Sequence, residues 1–374
     1  MKKKLILGVT LGGSSRLLDG QAAYFKELGY EVYLISQDHF KEPIFCKKEG
    51  ITHLPVKNIV ADIHPFKDIV ALFQIMNHFR KVKPDIVNVG TPKMGLLGLI
   101  AASIFRVEKR IYTCRGLRFE TETGIKRYIL MLMEKGTVKM AHQVIYVSPS
   151  LLKAAEKYGV TQSKKATVIG FGSSNGVNIS EFDKAKIEQE KRRELQKKYN
   201  LDSVITIGFV GRVTQHKGAY ELVEAFEKIY AKHSNTRLIL MGHIKCNEAF
   251  EIKFQEHPGI IHIPFQDNVP LYMSLFDIFV LPSWREGFPN VPIQAAAMNI
   301  PVVVSDATGC VDAVDNGKNG VIFPIRDAKA IETLLLQYVE DENLRTKHAN
   351  AGSEWASKFN NKIIWQGINN IYEF

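Results

Sequence analysis

Between Asp277 and Met298 the chain passes from a short β-branched and aromatic run, Asp277–Leu281, through a turn rich in Gly and Pro into a helical pattern. Pro292 stands where a first helical turn tolerates a missing N–H, and Ala295, Ala296, Ala297 and Met298 favour helix. A strand, a tight turn and a helix in that order restrict the fold to an α/β unit. They also place backbone amides near Asn290 and Val291 just past the carboxyl end of a strand, where open α/β sheets bind ligands. Glu286, held on the turn, is positioned to accept hydrogen bonds from hydroxyls beside a phosphate.

The same alternation recurs along the chain. Lys3–Thr10 reads as a strand, Leu17–Leu28 as a helix and Glu31–Ser36 as a second strand, a βαβ opening. Further strand-like runs fall at 86–89, 110–113, 143–148 and 166–171, between helical patterns at 69–82, 128–140 and 150–158. A turn-rich segment, Gly172–Asn178, leads through the charged stretch Asp183–Tyr199 into a second series of strands at 204–210, 237–241, 260–263, 277–281, 301–305 and 321–323. The predicted organisation is a first domain over residues 1–182, a second over 183–355, and an amphipathic tail helix over 356–374 that carries more apolar surface than an exposed terminus needs. With 374 residues, each domain is long enough to bury its own core.

Charge is distributed unevenly. Residues 1–188 hold 29 Lys and Arg against 17 Asp and Glu, a balance of +12, whereas residues 189–374 hold 20 against 22, a balance of −2. The basic half suits an anionic partner such as a membrane surface or a lipid pyrophosphate, or serves solubility. It carries no helix-turn-helix or aromatic RNA-binding motif, so nucleic acid is not the expected partner. Lys2, Lys3 and Lys4 precede only a brief apolar run broken by Gly12 and Gly13, and no stretch reaches membrane-spanning length. The expectation is a cytoplasmic protein, peripheral at the inner face of the cell membrane. Cys46, Cys114, Cys246 and Cys310 lie far apart without metal-ligand spacing and read as thiols.

Two segments together carry a family resemblance. Glu286-Gly287-Phe288-Pro289-Asn290-Val291, with Gln294 on the following helix, resembles the signature of the family 4 retaining glycosyltransferases. Gly211-Arg212 through Lys217-Gly218, between the run at 204–210 and a helix starting near Tyr220, resembles the same family's cation loop. The resemblance implies the GT-B fold, two Rossmann-like doubly wound domains facing a cleft, with the C-terminal helix over 356–374 crossing back to the first domain. It also implies retaining transfer from a nucleoside diphosphate sugar, with uridine the favoured base. Arg212 and Lys217 would neutralise the departing diphosphate, and Glu286 would hold sugar hydroxyls. Gly211, Gly287, Phe288, Pro289, Asn290, Val291 and Gln294 would contact the donor. No cofactor or metal is implied, because the two cations stand where other transferases use a metal.

The chain departs from the family pattern in three places. Gln294 replaces the second signature Glu, Arg115 stands where a His is usual, and Asn178 replaces Asp in the Asn175-Gly176-Val177 hinge. Gly12, Gly13 and Ser14 suit either a plain tight turn or a phosphate-approaching loop. Lys93 suits either a solvated position or an acceptor phosphate, and Arg115 is retained as a sugar or phosphate contact. The run Ile125–Met133 is apolar nearly all round, as in a core helix; within the basic half it also fits a membrane-surface face. The expected acceptor is a polyprenyl-pyrophosphate-linked glycan of bacterial capsule or lipopolysaccharide assembly. The rival readings are a binding subunit weakened by Gln294 and an epimerase of the same architecture.

Overall fold

A computed structural model describes residues 2–161 and 163–373. The chain divides into two compact units, Met1–Gly176 with Lys362–Phe374, and Val177–Asn361. The division differs from the sequence-based boundaries at 182 and 355 because Val177 belongs to the second unit. Its amide donates to Phe359 O at 2.8 Å and its carbonyl accepts from the Asn361 amide at 3.1 Å.

The first unit contains strands β1 (Lys4–Gly8), β2 (Glu31–Gln37), β3 (Thr52–Val56), β4 (Ile86–Gly90), β5 (Lys109–Cys114), β6 (Gln143–Tyr146) and β7 (Ala166–Thr167). Helices α1 (Gln21–Glu27), α2 (Lys41–Glu49), α3 (Pro65–Val82), α4 (Pro92–Ile104), α5 (Gly124–Met140) and α6 (Pro149–Lys157) alternate with them. The strands form one parallel sheet in the order β3-β2-β1-β4-β5-β6-β7, registered by pairs such as Leu5↔Val32 and Leu5↔Ile86. Leu5, Ile6 and Leu7 are fully buried, as expected of a strand covered on both faces.

The helix expected over 17–28 is in fact two pieces, a 3₁₀ turn at Ser14–Leu18 and α1. Gly20 separates them with φ 74°, and a Cβ there would lie 2.8 Å from the Trp365 ring. The strand expected over 166–171 stops at Thr167, while α2, β3 and α4 went unread.

The second unit contains β8 (Ile205–Val210), β9 (Thr236–Met241), β10 (Ile260–Ile263), β11 (Ile278–Leu281), β12 (Val302–Ser305) and β13 (Gly320–Phe323). Helices α7 (Gln189–Lys198), α8 (Ala219–Lys232), α9 (Glu248–Gln255), α10 (Val269–Met273), α11 (Asn290–Ala297), α12 (Ala328–Glu340), α13 (Glu342–Asn350) and α14 (Gly352–Ser357) surround them. This sheet is also parallel, ordered β10-β9-β8-β11-β12-β13. The chain order reverses between β8 and β11, so the carboxyl ends of those two strands bound the switch-point crevice.

The tail forms α15 (Asn361–Glu373) and completes the core of the first unit. Ile364, Trp365, Ile368 and Tyr372 are buried among Leu18, Phe25 and Leu34. Trp365 Nε1 donates to Asn175 Oδ1 at 2.7 Å, and Tyr372 OH accepts from Asn88 Nδ2 at 2.7 Å. The apolar stripe seen in the tail sequence therefore covers a core.

Candidate active site

Three loops of the second unit, those after β8, β11 and β12, converge at the carboxyl ends of these adjacent strands. The loop after β8 begins at Gly211, whose amide donates to Met241 O at 2.9 Å, and closes at Gly218 with φ 72°. A Cβ on Gly218 would lie 2.0 Å from Pro282 O, so only glycine admits the turn that follows β11. A Cβ on Gly309, past β12, would lie 2.5 Å from Gly287 O. Hydrogen bonds fix the same approach: Trp284 N donates to His216 O and Glu286 N to Thr308 O, each at 3.0 Å.

This packing brings Lys217 to Glu286. Thr214 accepts a hydrogen bond from the Lys217 amide at 3.3 Å, forming a single 3₁₀ turn that directs the lysine across the switch point. Its Nζ forms an ion pair with Glu286 Oε1, with the side chains 24% and 15% exposed. Beneath them, burial raises the Cys310 thiol pKa, and the Glu286 carboxylate raises it further. Arg212 is exposed on the same loop and makes no hydrogen bond or ion pair with the described residues. The loop holds Lys217 against a carboxylate and leaves Arg212 facing solvent.

Helix α11 starts immediately after Pro289, an N-cap whose side chain makes no capping hydrogen bond. Asn290, Val291 and Gln294 lie half-buried on it, and the Gln294 amide makes no hydrogen bond to the described residues. Phe288 is 9% exposed with its ring 5.1 Å from that of Phe359, so its side chain anchors the loop by packing.

Sequence reading missed the residues that stiffen this rim. Trp284 Nε1 donates to Glu221 Oε1 at 3.1 Å, its ring meets His216 edge-on at 5.3 Å, and the Arg326 guanidinium lies 4.0 Å over it. Nothing in local spacing links Glu221 or Arg326 to Trp284. The single Trp beside the signature was the available cue.

In the first unit two expectations are corrected. The amides of Gly12 and Gly13 are already engaged, by Gln37 Oε1 at 3.1 Å and by the Glu42 carboxylate, and Ser14 opens a 3₁₀ turn. A buried acid has taken the place of a phosphate there. Lys93 is 5% exposed and bound to Asp68 Oδ1 at 2.6 Å and to Asp62 O, so it offers no open charge to an acceptor. Arg115 is pinned to Ser174 Oγ at 2.6 Å, and a Cβ on Gly90 would overlap its guanidinium. Burial pushes the Arg115 pKa down to about 10, which leaves it charged at neutral pH. Of the first-unit candidates it alone remains a cation at the strand ends.

The run Ile125–Met133 is not wholly core either. Leu130 is buried on α5, while Ile125, Tyr128, Ile129 and Leu132 are exposed.

A cation and a carboxylate meet at the switch point of a doubly wound sheet, the place where open α/β sheets bind ligands. The chain belongs to the family 4 glycosyltransferases and is a GT-B transferase. The model described as "Glycosyl transferases group 1" matches residues 191–355, and that described as "Glycosyltransferase Family 4" matches 11–181. The chain is 35% identical to the capsular polysaccharide biosynthesis glycosyltransferase CapM of Staphylococcus aureus, covering 99% of this chain and 97% of that protein. It is 25% identical, over 92% of this chain and 91% of the other, to a Campylobacter jejuni enzyme. That relative is the N,N'-diacetylbacillosaminyl-diphospho-undecaprenol alpha-1,3-N-acetylgalactosaminyltransferase. Among solved structures, Anabaena HepE in complex with UDP and glucose superimposes with a TM-score of 0.82 at 18% identity, over all of both chains.

Proposed function

We propose that this glycosyltransferase moves a sugar, with retention of anomeric configuration, from a uridine diphosphate sugar to a hydroxyl of a polyprenyl-pyrophosphate-linked glycan in bacterial surface-polysaccharide assembly. The observation that carries the donor half is the Lys217–Glu286 pair at the switch point, with Arg212 exposed on the same loop. Two cations and the first turn of α11 are suited to a diphosphate, whose charge grows as the glycosidic bond breaks. Glu286 then accepts sugar hydroxyls. The leaving diphosphate takes the acceptor's proton on the face it vacates, so no enzymic carboxylate nucleophile is needed. No metal is assigned a role, because Arg212 and Lys217 supply the positive charge.

The acceptor half rests on two supports. The Campylobacter relative is named for a diphospho-undecaprenol substrate, and the basic first half of this chain suits an anionic lipid. HepE, solved with UDP, accords with a uridine donor. The protein is proposed to work peripherally at the cytoplasmic face of the membrane; among the described residues no helix is long and apolar enough to cross one.

The test is donor screening by thermal shift followed by product analysis. UDP-sugars should raise the melting temperature more than guanosine or adenosine counterparts. A lipid-linked acceptor should yield an α-linked product from an α-linked donor, with chelator present. Inversion at the anomeric carbon would defeat the mechanism, and preference for a soluble acceptor would defeat the acceptor. Gln294 favours the alternative of a binding-only subunit, which donor binding without turnover on any acceptor would support. Turnover of the donor without acceptor would favour an epimerase.

A further inference from the structure

Helices α3 and α5 lie on either side of α4, which is largely buried. Each presents an apolar stripe to solvent at the same spacing. On α3 it consists of Phe66, Ile69, Val70 and Phe73, with Phe66 81% and Phe73 65% exposed. On α5 it consists of Ile125, Tyr128, Ile129 and Leu132, with Ile125 80% and Tyr128 58% exposed. Positions i, i+3, i+4 and i+7 occupy one face of a helix, so each set forms a continuous strip. These are large side chains without a covering element, on a helix that already has a separate buried face of Ala71, Ile75 and Phe79 in α3 and of Leu130 and Val138 in α5.

Both strips occupy the first two turns of their helices. Because β3 to β6 are parallel and α3 and α5 each link one strand to the next, both helices start at the carboxyl edge of the sheet. That edge carries Arg115. Lys67 and Lys126 follow the first residue of each strip, and Arg80, Lys81, Lys135 and Lys139 lie further along the two helices. Beside the α5 strip, Lys126 pairs with Glu122 at 2.8 Å.

The geometry points to a membrane-docking face formed by the first two turns of α3 and α5, whose occupant is an anionic phospholipid bilayer. Exposed aromatic and aliphatic side chains enter the headgroup boundary, and the adjoining lysines meet lipid phosphates, the pairing that amphipathic interfacial helices use. The +12 balance of residues 1–188 supplies the complementary charge. The inference rests on the reading that the acceptor is lipid-linked, and it adds which surface meets the lipid and that this surface adjoins the strand ends of the first unit.

The experiment is co-sedimentation of the full chain with vesicles, without nucleotide or acceptor. The vesicles are phosphatidylcholine alone or an equal mixture with phosphatidylglycerol. The wild type should sediment with the mixed vesicles and weakly with the neutral ones. The variant F66S/F73S/I125S/L132S should lose at least about tenfold in partitioning at an unchanged melting temperature, since all four side chains are exposed. Lys67→Gln with Lys126→Gln should lower binding to the mixed vesicles, most strongly at low salt, and unchanged binding at low salt would remove the charge contribution from this face. Equal sedimentation of wild type and the serine variant, or no vesicle binding by the wild type, would overturn the docking face. So would light scattering that showed a wild-type dimer dissolved by the serine substitutions with no vesicle binding. Activity on a detergent-solubilised lipid-linked acceptor separates the two ideas: if it persists while vesicle binding fails, the acceptor assignment stands and the docking face falls.

Discussion

Lys217 forms an ion pair with Glu286 across the switch point of the second sheet, joining two sequence motifs that lie 69 positions apart. Without a donor the carboxylate neutralises the lysine; a diphosphate is the stronger anion, and its arrival would draw Lys217 away and free Glu286 for sugar hydroxyls. Replacing Lys217 by Met should lower kcat by about 100- to 1000-fold, the usual cost of losing one donor aimed at developing charge. Glu286→Gln should keep the fold and lower kcat/KM, with the double variant no worse than the poorer single one, because the two act as a unit. Steady-state kinetics on the four proteins checks this. Additive losses would mean that the residues act separately.

The side-chain amide of Gln294 makes no hydrogen bond to the described residues, and the residue lies on α11, eight positions after Glu286. A carboxylate at 294 could accept from both ribose hydroxyls, and charge-assisted bonds exceed neutral ones by about 1 kcal/mol. Gln294→Glu should therefore tighten donor binding by about fivefold to tenfold in calorimetry. An unchanged dissociation constant would remove residue 294 from the ribose site.

The strand-turn-helix units were legible because their signals are local: β-branched runs, a Pro in a first turn, alternation of periods. The Lys217–Glu286 meeting was legible only through the parallel topology, which sends every βα loop to one edge. What remained hidden were long-range partners. Glu42, on an unread helix, reaches the Gly13 amide from 29 positions away, and Asp68 reaches Lys93 from 25 away. No periodicity announces such contacts. Gly20 likewise falls inside the helix expected over 17–28, and no local signal places Trp365, from the far end of the chain, against it.

That tail is also testable. Asn88 is buried between two partners, receiving a hydrogen bond from Thr113 Oγ1 at 2.8 Å and donating one to Tyr372 OH at 2.7 Å. Tyr372→Phe preserves the ring packing against Phe25 but leaves the Asn88 amide without its acceptor, which should cost about 1–3 kcal/mol in chemical denaturation. Tyr372→Phe with Asn88→Leu should recover part of that loss, because removing both polar partners leaves none stranded. If the single variant unfolds at the wild-type midpoint, the buried bond contributes nothing.

Glu134 sets a pH dependence that has nothing to do with the transfer site. It lies on α5 at 5% exposure, and desolvation raises its pKa from 4.5 to about 7, against smaller opposing effects from the Tyr112 hydroxyl at 2.8 Å and the Cys114 thiol. The folded protein therefore holds a proton that the unfolded chain releases near pH 4.5. Stability from this group is complete below the unfolded value and is lost as pH rises through the folded one, so the window runs from about 4.5 to about 7. The gap corresponds to about 3 kcal/mol as an upper figure. Glu134→Gln keeps an acceptor for Tyr112 and removes the ionisation. The variant should match wild type near pH 4.5 and exceed it by about 2–3 kcal/mol at pH 8, with a flatter profile between. Denaturant midpoints across that range decide the matter: parallel profiles for the two proteins would show that Glu134 ionises in the folded state as readily as in water.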